Sequence, residues 1–157
     1  MSNIAVMADD ASWVAEAMTA SVPWVTTAGI RFGAITTESA VATLPDRPEQ
    51  RNHVGGPHAA VLFGVGETAS GAVALAAFGS TMDRATPLVV RSDIGYVRLA
   101  KGPITAEAVL ERPAAEVMAE LDAGVRPEFT VGVVLTDGEG RETTRMRVVW
   151  TLRPHRG

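Results

Sequence analysis

One short stretch of the chain carries the residue types that could do chemistry. It reads Asn52-His53-Val54-Gly55-Gly56-Pro57-His58-Ala59-Ala60, then Val61-Leu62-Phe63-Gly64-Val65-Gly66-Glu67. A polar loop with two glycines runs into an apolar helix that holds one carboxylate. The N–H groups of His58, Ala59 and Ala60 lie in the first helical turn, where no intrahelical acceptor is available. With the helix dipole they favour negative charge and could stabilise an oxyanion. Glu67 is the only acidic residue between Glu49 and Asp83. An ionised carboxylate among apolar residues is costly unless it is paired or faces a wet cleft. In a cleft it could serve as a general base or nucleophile. Plainer readings stand beside this one: Glu67 facing solvent or paired with an arginine, His58 as a cap, His53 solvated, Asn52 as a turn residue.

Geometry adds a constraint. His58 and Glu67 are nine positions apart, so on a helix they point to nearly opposite sides and lie about 13 Å apart along the axis. One helix does not bring its own N-terminus and its own Glu67 to one atom. Two antiparallel copies related by a twofold can, so if both features are catalytic the site is shared across a homodimer.

Other chemistries find little support. The chain has no Cys, which excludes disulfide scaffolds, thiolate zinc sites and a cysteine nucleophile. His53, His58 and His155 show no ligand spacing, so no metal site is expected. No Gly-x-Ser-x-Gly elbow is present for a serine hydrolase. The formal net charge of −4 is unlike a dedicated nucleic-acid binder. Met1–Asp10 has no basic region and ends on Asp9 and Asp10, unlike a secretory signal. The apolar run Ala59–Phe78 is long enough to span a bilayer, but its glycines, Glu67, Thr68 and Ser70 fit a buried helix better. A cytoplasmic protein with no membrane partner is expected.

The elements that position the stretch follow from patterning. At 157 residues the chain suits one domain. Asp9–Ala20 reads as a helix capped by Asp9 or Asp10, and Ser21–Gly29 as a turn. Ile30–Leu44 contains a strand bent at Gly33, and Pro45–Gly56 is a loop. The long helix starts at Pro57 and ends at Phe78, with Gly79 expected as a left-handed cap. From Pro87 the period becomes two, predicting strands near 88–97, 104–111, 129–136 and 145–152, with a short helix over 113–124. Short connections and clean alternation predict an antiparallel sheet with one buried face. The fold class is α+β, a long helix wrapped by a curved antiparallel sheet.

Asn52, Gly55, His58-Ala59-Ala60 and Glu67 in this spacing resemble the motif of hotdog-fold thioesterases. The closest branch is that of phenylacetate-degradation and 4-hydroxybenzoyl-CoA thioesterases, and the element order from about residue 30 to 153 matches it as well. There the helix starts with His-Gly-Gly and an acidic residue stands nine positions after the His; here His-Ala-Ala replaces it, as in an uncharacterised subgroup. The resemblance implies catalytic roles for four residues. The Ala59 N–H would be an oxyanion donor, Asn52 a loop amide placing the carbonyl, His58 a positioning residue, and Glu67 the attacking or water-activating carboxylate. Gly55, Gly56, Ala60, Thr68 and Gly71 become expected substrate-binding positions, Gly71 falling where relatives carry a hydroxyl residue. A coenzyme A thioester is the implied substrate, with no cofactor. Arg91, Arg98, Lys101, Arg145 and Arg147 are candidates for its phosphates. The implied assembly is a homodimer, with a dimer of dimers left open. The alternative class is a non-catalytic acyl- or CoA-binding protein on the same fold; a hotdog hydratase lacks its acid/base motif here.

Overall fold

A computed structural model describes residues 9–157; most of the Met1–Asp10 segment lies outside them. Six antiparallel strands form one sheet in the order β1-β2-β4-β5-β6-β3. They are β1 (Arg31–Ile35), β2 (Ser39–Leu44), β3 (Ala85–Tyr96), β4 (Ile104–Leu110), β5 (Glu128–Thr136) and β6 (Glu142–Pro154). Against the concave face lies α3 (Ala59–Phe78), flanked by α1 (Trp13–Ser21), α2 (Pro23–Ala28) and α4 (Ala114–Asp122).

Alternation explains the buried face. Phe129, Val131, Val133 and Leu135 of β5 point inward with Met146, Val148, Trp150 and Leu152 of β6. Beneath α3 the sheet is lined by alanines: Ala40 pairs with Ala108 and Ala42 with Ala106 across β2 and β4. All four are buried. The helix packs on β2 and β4 and itself buries small residues, Gly66, Ala69, Ala72 and Val73. Gly66 packs against the Met146 sulfur and Leu135, where a β-carbon would have no room. The three interior glycines each cost about 1 kcal/mol of helix propensity; packing on the sheet compensates. The stretch from Ala59 to Thr81 is apolar enough to cross a membrane, yet 56% of its most apolar window is buried inside the fold, as for a core helix.

Several boundaries differ from the sequence reading, each for a local reason. The first helix begins at Trp13 with Ser12 at its N-cap, and neither Asp9 nor Asp10 caps it; the Asp10 carboxylate instead accepts a hydrogen bond from the Ser12 hydroxyl. Pro23–Ala28 is a helical turn, with Pro at N1 and Gly29 as a left-handed C-cap (φ 76°). Residues 30–44 are two strands of a hairpin; the Thr36 hydroxyl accepts the Glu38 and Ser39 N–H groups at the corner. Gly79 is right-handed (φ −55°) and leads into a 3-10 turn through Thr81. The long helix starts at Ala59 with His58 as N-cap, so Pro57 lies before the cap.

Candidate active site

The start of α3 is tightly specified. The His58 N–H donates to the Gln50 carbonyl at 2.9 Å, and the His58 Nδ1 accepts the Ala60 N–H at 2.9 Å. Two of the three donors proposed for an anion are therefore already used. The Ala59 N–H has no acceptor among the described residues. It is the one free donor of the first three and carries the positive end of a 20-residue helix.

Asn52 organises the loop before it. Its Oδ1 accepts the N–H groups of Val54 (3.0 Å) and Gly56 (3.2 Å), and its Nδ2 donates to the Pro57 carbonyl at 3.3 Å. Gly55 turns the chain at φ 83°, a conformation that favours glycine. At Gly56 a β-carbon would sit 2.7 Å from the Ala100 carbonyl, so the close approach of two backbones requires glycine there. One Nδ2 hydrogen of Asn52 remains for a ligand.

A cavity of about 410 Å³ opens at this point, lined by Asn52, Gly55, Gly56 and Ala59 together with Tyr96 and the segment Arg98–Gly102. That size lies within the range of small-molecule pockets, roughly 300–1,000 Å³. Of the five cationic candidates, Arg98 and Lys101 line it. Arg91, Arg145 and Arg147 are instead paired with Glu128, Glu142 and Glu111. Neither Arg98 nor Lys101 has an ion-pair partner among the described residues. Tyr96, the chain's single tyrosine, was not singled out by sequence. It ends β3, and its hydroxyl donates to the Ala59 carbonyl at 3.1 Å, tying the edge strand to the helix start. Its uniqueness and its place at the end of an alternating run were the available signals.

Glu67 lies elsewhere on the same helix and does not line this cavity. Its side chain is half-buried and has no hydrogen-bond or ion-pair partner among the described residues. Burial pushes its carboxyl above the ordinary glutamate range. Its backbone, by contrast, is anchored: the Ser70 hydroxyl donates to the Glu67 carbonyl at 2.6 Å and accepts the Trp150 indole N–H at 3.0 Å. Glycines stand one turn to either side. The Trp24 ring lies on Gly64, and the Trp150 ring and Met18 lie beside Gly71. Thr68 is buried and Ala60 exposed; with Gly71 they lie outside the cavity lining. Among the described residues no group of three or more His, Asp or Glu is placed to hold a metal ion.

A single chain thus keeps two features apart. One is a free helix-end donor in a cleft with two unpaired cations; the other is an unpaired, desolvated carboxylate further along the helix. The first can stabilise an oxyanion, and the second can accept a proton.

A family model described as a domain of unknown function, DUF4442, matches residues 11–152. The chain belongs to the DUF4442 family. A search of curated protein sequences returns no match. Among solved structures, this DUF4442 protein is similar to PA5026 of Pseudomonas aeruginosa, described as of unknown function and a probable thioesterase. Identity is 25% and the TM-score 0.79, covering 94% of this chain and 99% of the other. It is also similar to PaaI of the E. coli phenylacetic acid degradation operon at 14% identity and TM-score 0.71, covering 92% and 93%. A third is a mutant form of the Pseudomonas aeruginosa thioesterase PA1618 at 19% identity and TM-score 0.72, covering 90% and 94%. The DUF4442 chain therefore has the hotdog fold of thioesterase-family proteins, with α3 as the wrapped helix.

Proposed function

We propose that the protein is an acyl-CoA thioesterase-like hydrolase whose site is completed by a second copy of the chain. The observation that carries the reading is the partnerless, burial-perturbed Glu67 carboxylate on the helix whose first free N–H is that of Ala59. A half-buried anion with no partner is costly for the isolated protomer. In a twofold dimer it would face the helix start of the other copy. Support for pairing comes from β3, which among the described residues pairs only with β6. Its other edge is 12 residues long and carries exposed Val89, Val90 and Tyr96, an edge of the kind that second copies extend.

In the proposed reaction the thioester carbonyl oxygen sits at the Ala59 N–H, with the spare Asn52 amide hydrogen nearby. Glu67 of the other copy takes a proton from water as the hydroxyl oxygen bonds to the carbonyl carbon. The negative charge developing on the carbonyl oxygen is stabilised at the helix end. Collapse reforms the C=O bond and breaks the C–S bond, and the protonated Glu67 returns its proton to the leaving thiolate. The products are a carboxylic acid and coenzyme A. Burial raises the Glu67 carboxyl and makes it a stronger base than a solvated glutamate. Direct attack by Glu67, breaking the C–S bond to leave a mixed anhydride that water then cleaves to the acid and free Glu67, is the other route; ¹⁸O entering Glu67 during one turnover in ¹⁸O water marks it. Arg98 and Lys101 are assigned to the phosphates of the coenzyme. A cytoplasmic location fits this substrate.

The test is hydrolysis of an acyl-CoA panel by the wild type and Glu67→Ala. The reading expects turnover by the wild type and its loss in the variant. Binding without turnover by the wild type would instead make the protein a non-catalytic acyl-CoA binder.

A further inference from the structure

A side chain that accepts four hydrogen bonds lies outside the site. Asp137 begins the β5–β6 turn, and its carboxylate is fully buried (0% exposed). Its Oδ1 accepts the N–H groups of Glu139 (3.0 Å) and Arg141 (3.1 Å) within the turn. Its Oδ2 accepts the Arg141 guanidinium at 2.8 Å and, in addition, the Lys101 N–H at 3.2 Å. The next residue completes the clamp: the Gly138 N–H donates to the Lys101 carbonyl at 2.9 Å. Both backbone groups of Lys101 are thus held by the tip of a hairpin on another part of the chain.

Lys101 belongs to the Arg98–Gly102 wall of the cleft, the wall that carries the two unpaired cations. Its opposite side bears on the catalytic loop through the Ala100 carbonyl, which meets Gly56 so closely that a β-carbon there would sit 2.7 Å away. The hairpin is closed by its own backbone bonds, Asp137 N–H to the Arg141 carbonyl and Gly140 N–H to the Asp137 carbonyl (both 2.9 Å), together with the Oδ1 bonds, and none of these involves Lys101. We infer that Asp137 is a positioning residue, which sets the cationic wall of the cleft at the distance required by the phosphates of a coenzyme A thioester. This rests on the proposed hydrolase reading for the identity of the ligand; the clamp itself stands on the bonds above.

Asp137→Asn keeps an oxygen for the turn N–H groups, whereas its NH2 can accept neither the Lys101 N–H nor the Arg141 guanidinium and meets both donor to donor. Steady-state kinetics are measured with an acyl-CoA and with the N-acetylcysteamine thioester of the same acid, which has no phosphates. The expected result is a KM for acyl-CoA raised roughly tenfold, the scale of losing one hydrogen bond to a charged group. The kcat should stay within about twofold, and KM for the N-acetylcysteamine thioester should be unchanged. Arg141→Ala, which removes the ion pair and keeps the Lys101 bond, controls for the loss of the guanidinium and should leave both KM values unchanged. Amide exchange over 98–102 should quicken. Equal losses on both thioesters, a fall in kcat, or unchanged constants would overturn the inference. Gly138→Ala carries the same test if Asp137→Asn does not fold: its β-carbon would press on Pro103 (2.9 Å) and the Lys101 carbonyl (3.3 Å) without lining the cleft. If the wild type hydrolyses no thioester, the hydrolase reading fails separately. The clamp is then read by calorimetry with coenzyme A, where about tenfold weaker binding by the variant supports it and equal or absent binding by both proteins overturns it.

Discussion

Ala59→Pro removes one hydrogen atom of proposed catalytic importance and little else. Ala59 is the first helical residue, where proline fits because the N–H has no intrahelical acceptor. His58 before it has φ −63° and ψ 144°, the extended conformation that a following proline requires. No hydrogen bond is lost, since this N–H has no acceptor among the described residues. Where backbone angles match, a new proline stabilises by about 0.4–1 kcal/mol through the unfolded chain. Loss of one oxyanion donor costs about 10²–10³ in rate, or roughly 2.7–4 kcal/mol of transition-state stabilisation. The variant should therefore melt at or slightly above the wild-type temperature while kcat for acyl-CoA hydrolysis falls by two to three orders of magnitude. Ala59→Val keeps the N–H and adds comparable bulk, so it controls for crowding and should retain most of the rate. Equal rates in Ala59→Pro and the wild type would refute the oxyanion role of the helix start.

Other outcomes follow from the same geometry. Glu67→Gln should abolish turnover and raise stability at neutral pH. The folded carboxyl is raised by burial, so the folded state holds its proton more tightly and wild-type stability declines as pH rises through the folded value; thermal melts of both proteins across pH check this. Asp137 has the opposite sign. Burial alone would raise its carboxyl, but the Arg141 guanidinium and three backbone N–H donors outweigh this and bring it from 3.8 to about 2. Its contribution to stability is present above the unfolded value and is lost as pH falls towards 2, so acid melts of Asp137→Asn should be flatter over that window. His58→Ala should lose about 1 kcal/mol with the Ala60 cap, while His58→Asn, a strong N-cap residue, should restore it; chemical denaturation measures both.

Much of this architecture was legible because burial imposes a period. The alternation from Leu88 to Tyr96 and from Phe129 to Leu135 reports one buried face directly. The run from Ala59 to Phe78 reports a helix buried by its small residues. What the pattern hid was local. Thr36–Glu38 contains no glycine or proline, so the corner between β1 and β2, made by the Thr36 hydroxyl, left no punctuation in a Thr- and Val-rich run. Pro23–Ala28 is too short for a period to emerge, and its flanking Pro23 and Gly29 read as a turn. In the site, Asn52, Gly55, Gly56 and Ala59 line one cavity, and all four fall within a single short stretch of sequence. That His58 spends its Nδ1 on Ala60 depends on a rotamer, and no spacing encodes it. Tyr96 and Asp137 act through contacts 37 and 36 residues away in sequence, beyond the reach of any local pattern.

The central claim is that Ala59 of one copy and Glu67 of another act on the same carbonyl. Ala59→Pro and Glu67→Gln, each inactive alone, are unfolded together, refolded as a mixture and assayed. A shared site predicts recovery to about a quarter of wild-type activity, because half the dimers are mixed and each of those rebuilds one of its two sites. A mixture as inactive as its parents, with mixed dimers confirmed by native mass spectrometry, would contradict it.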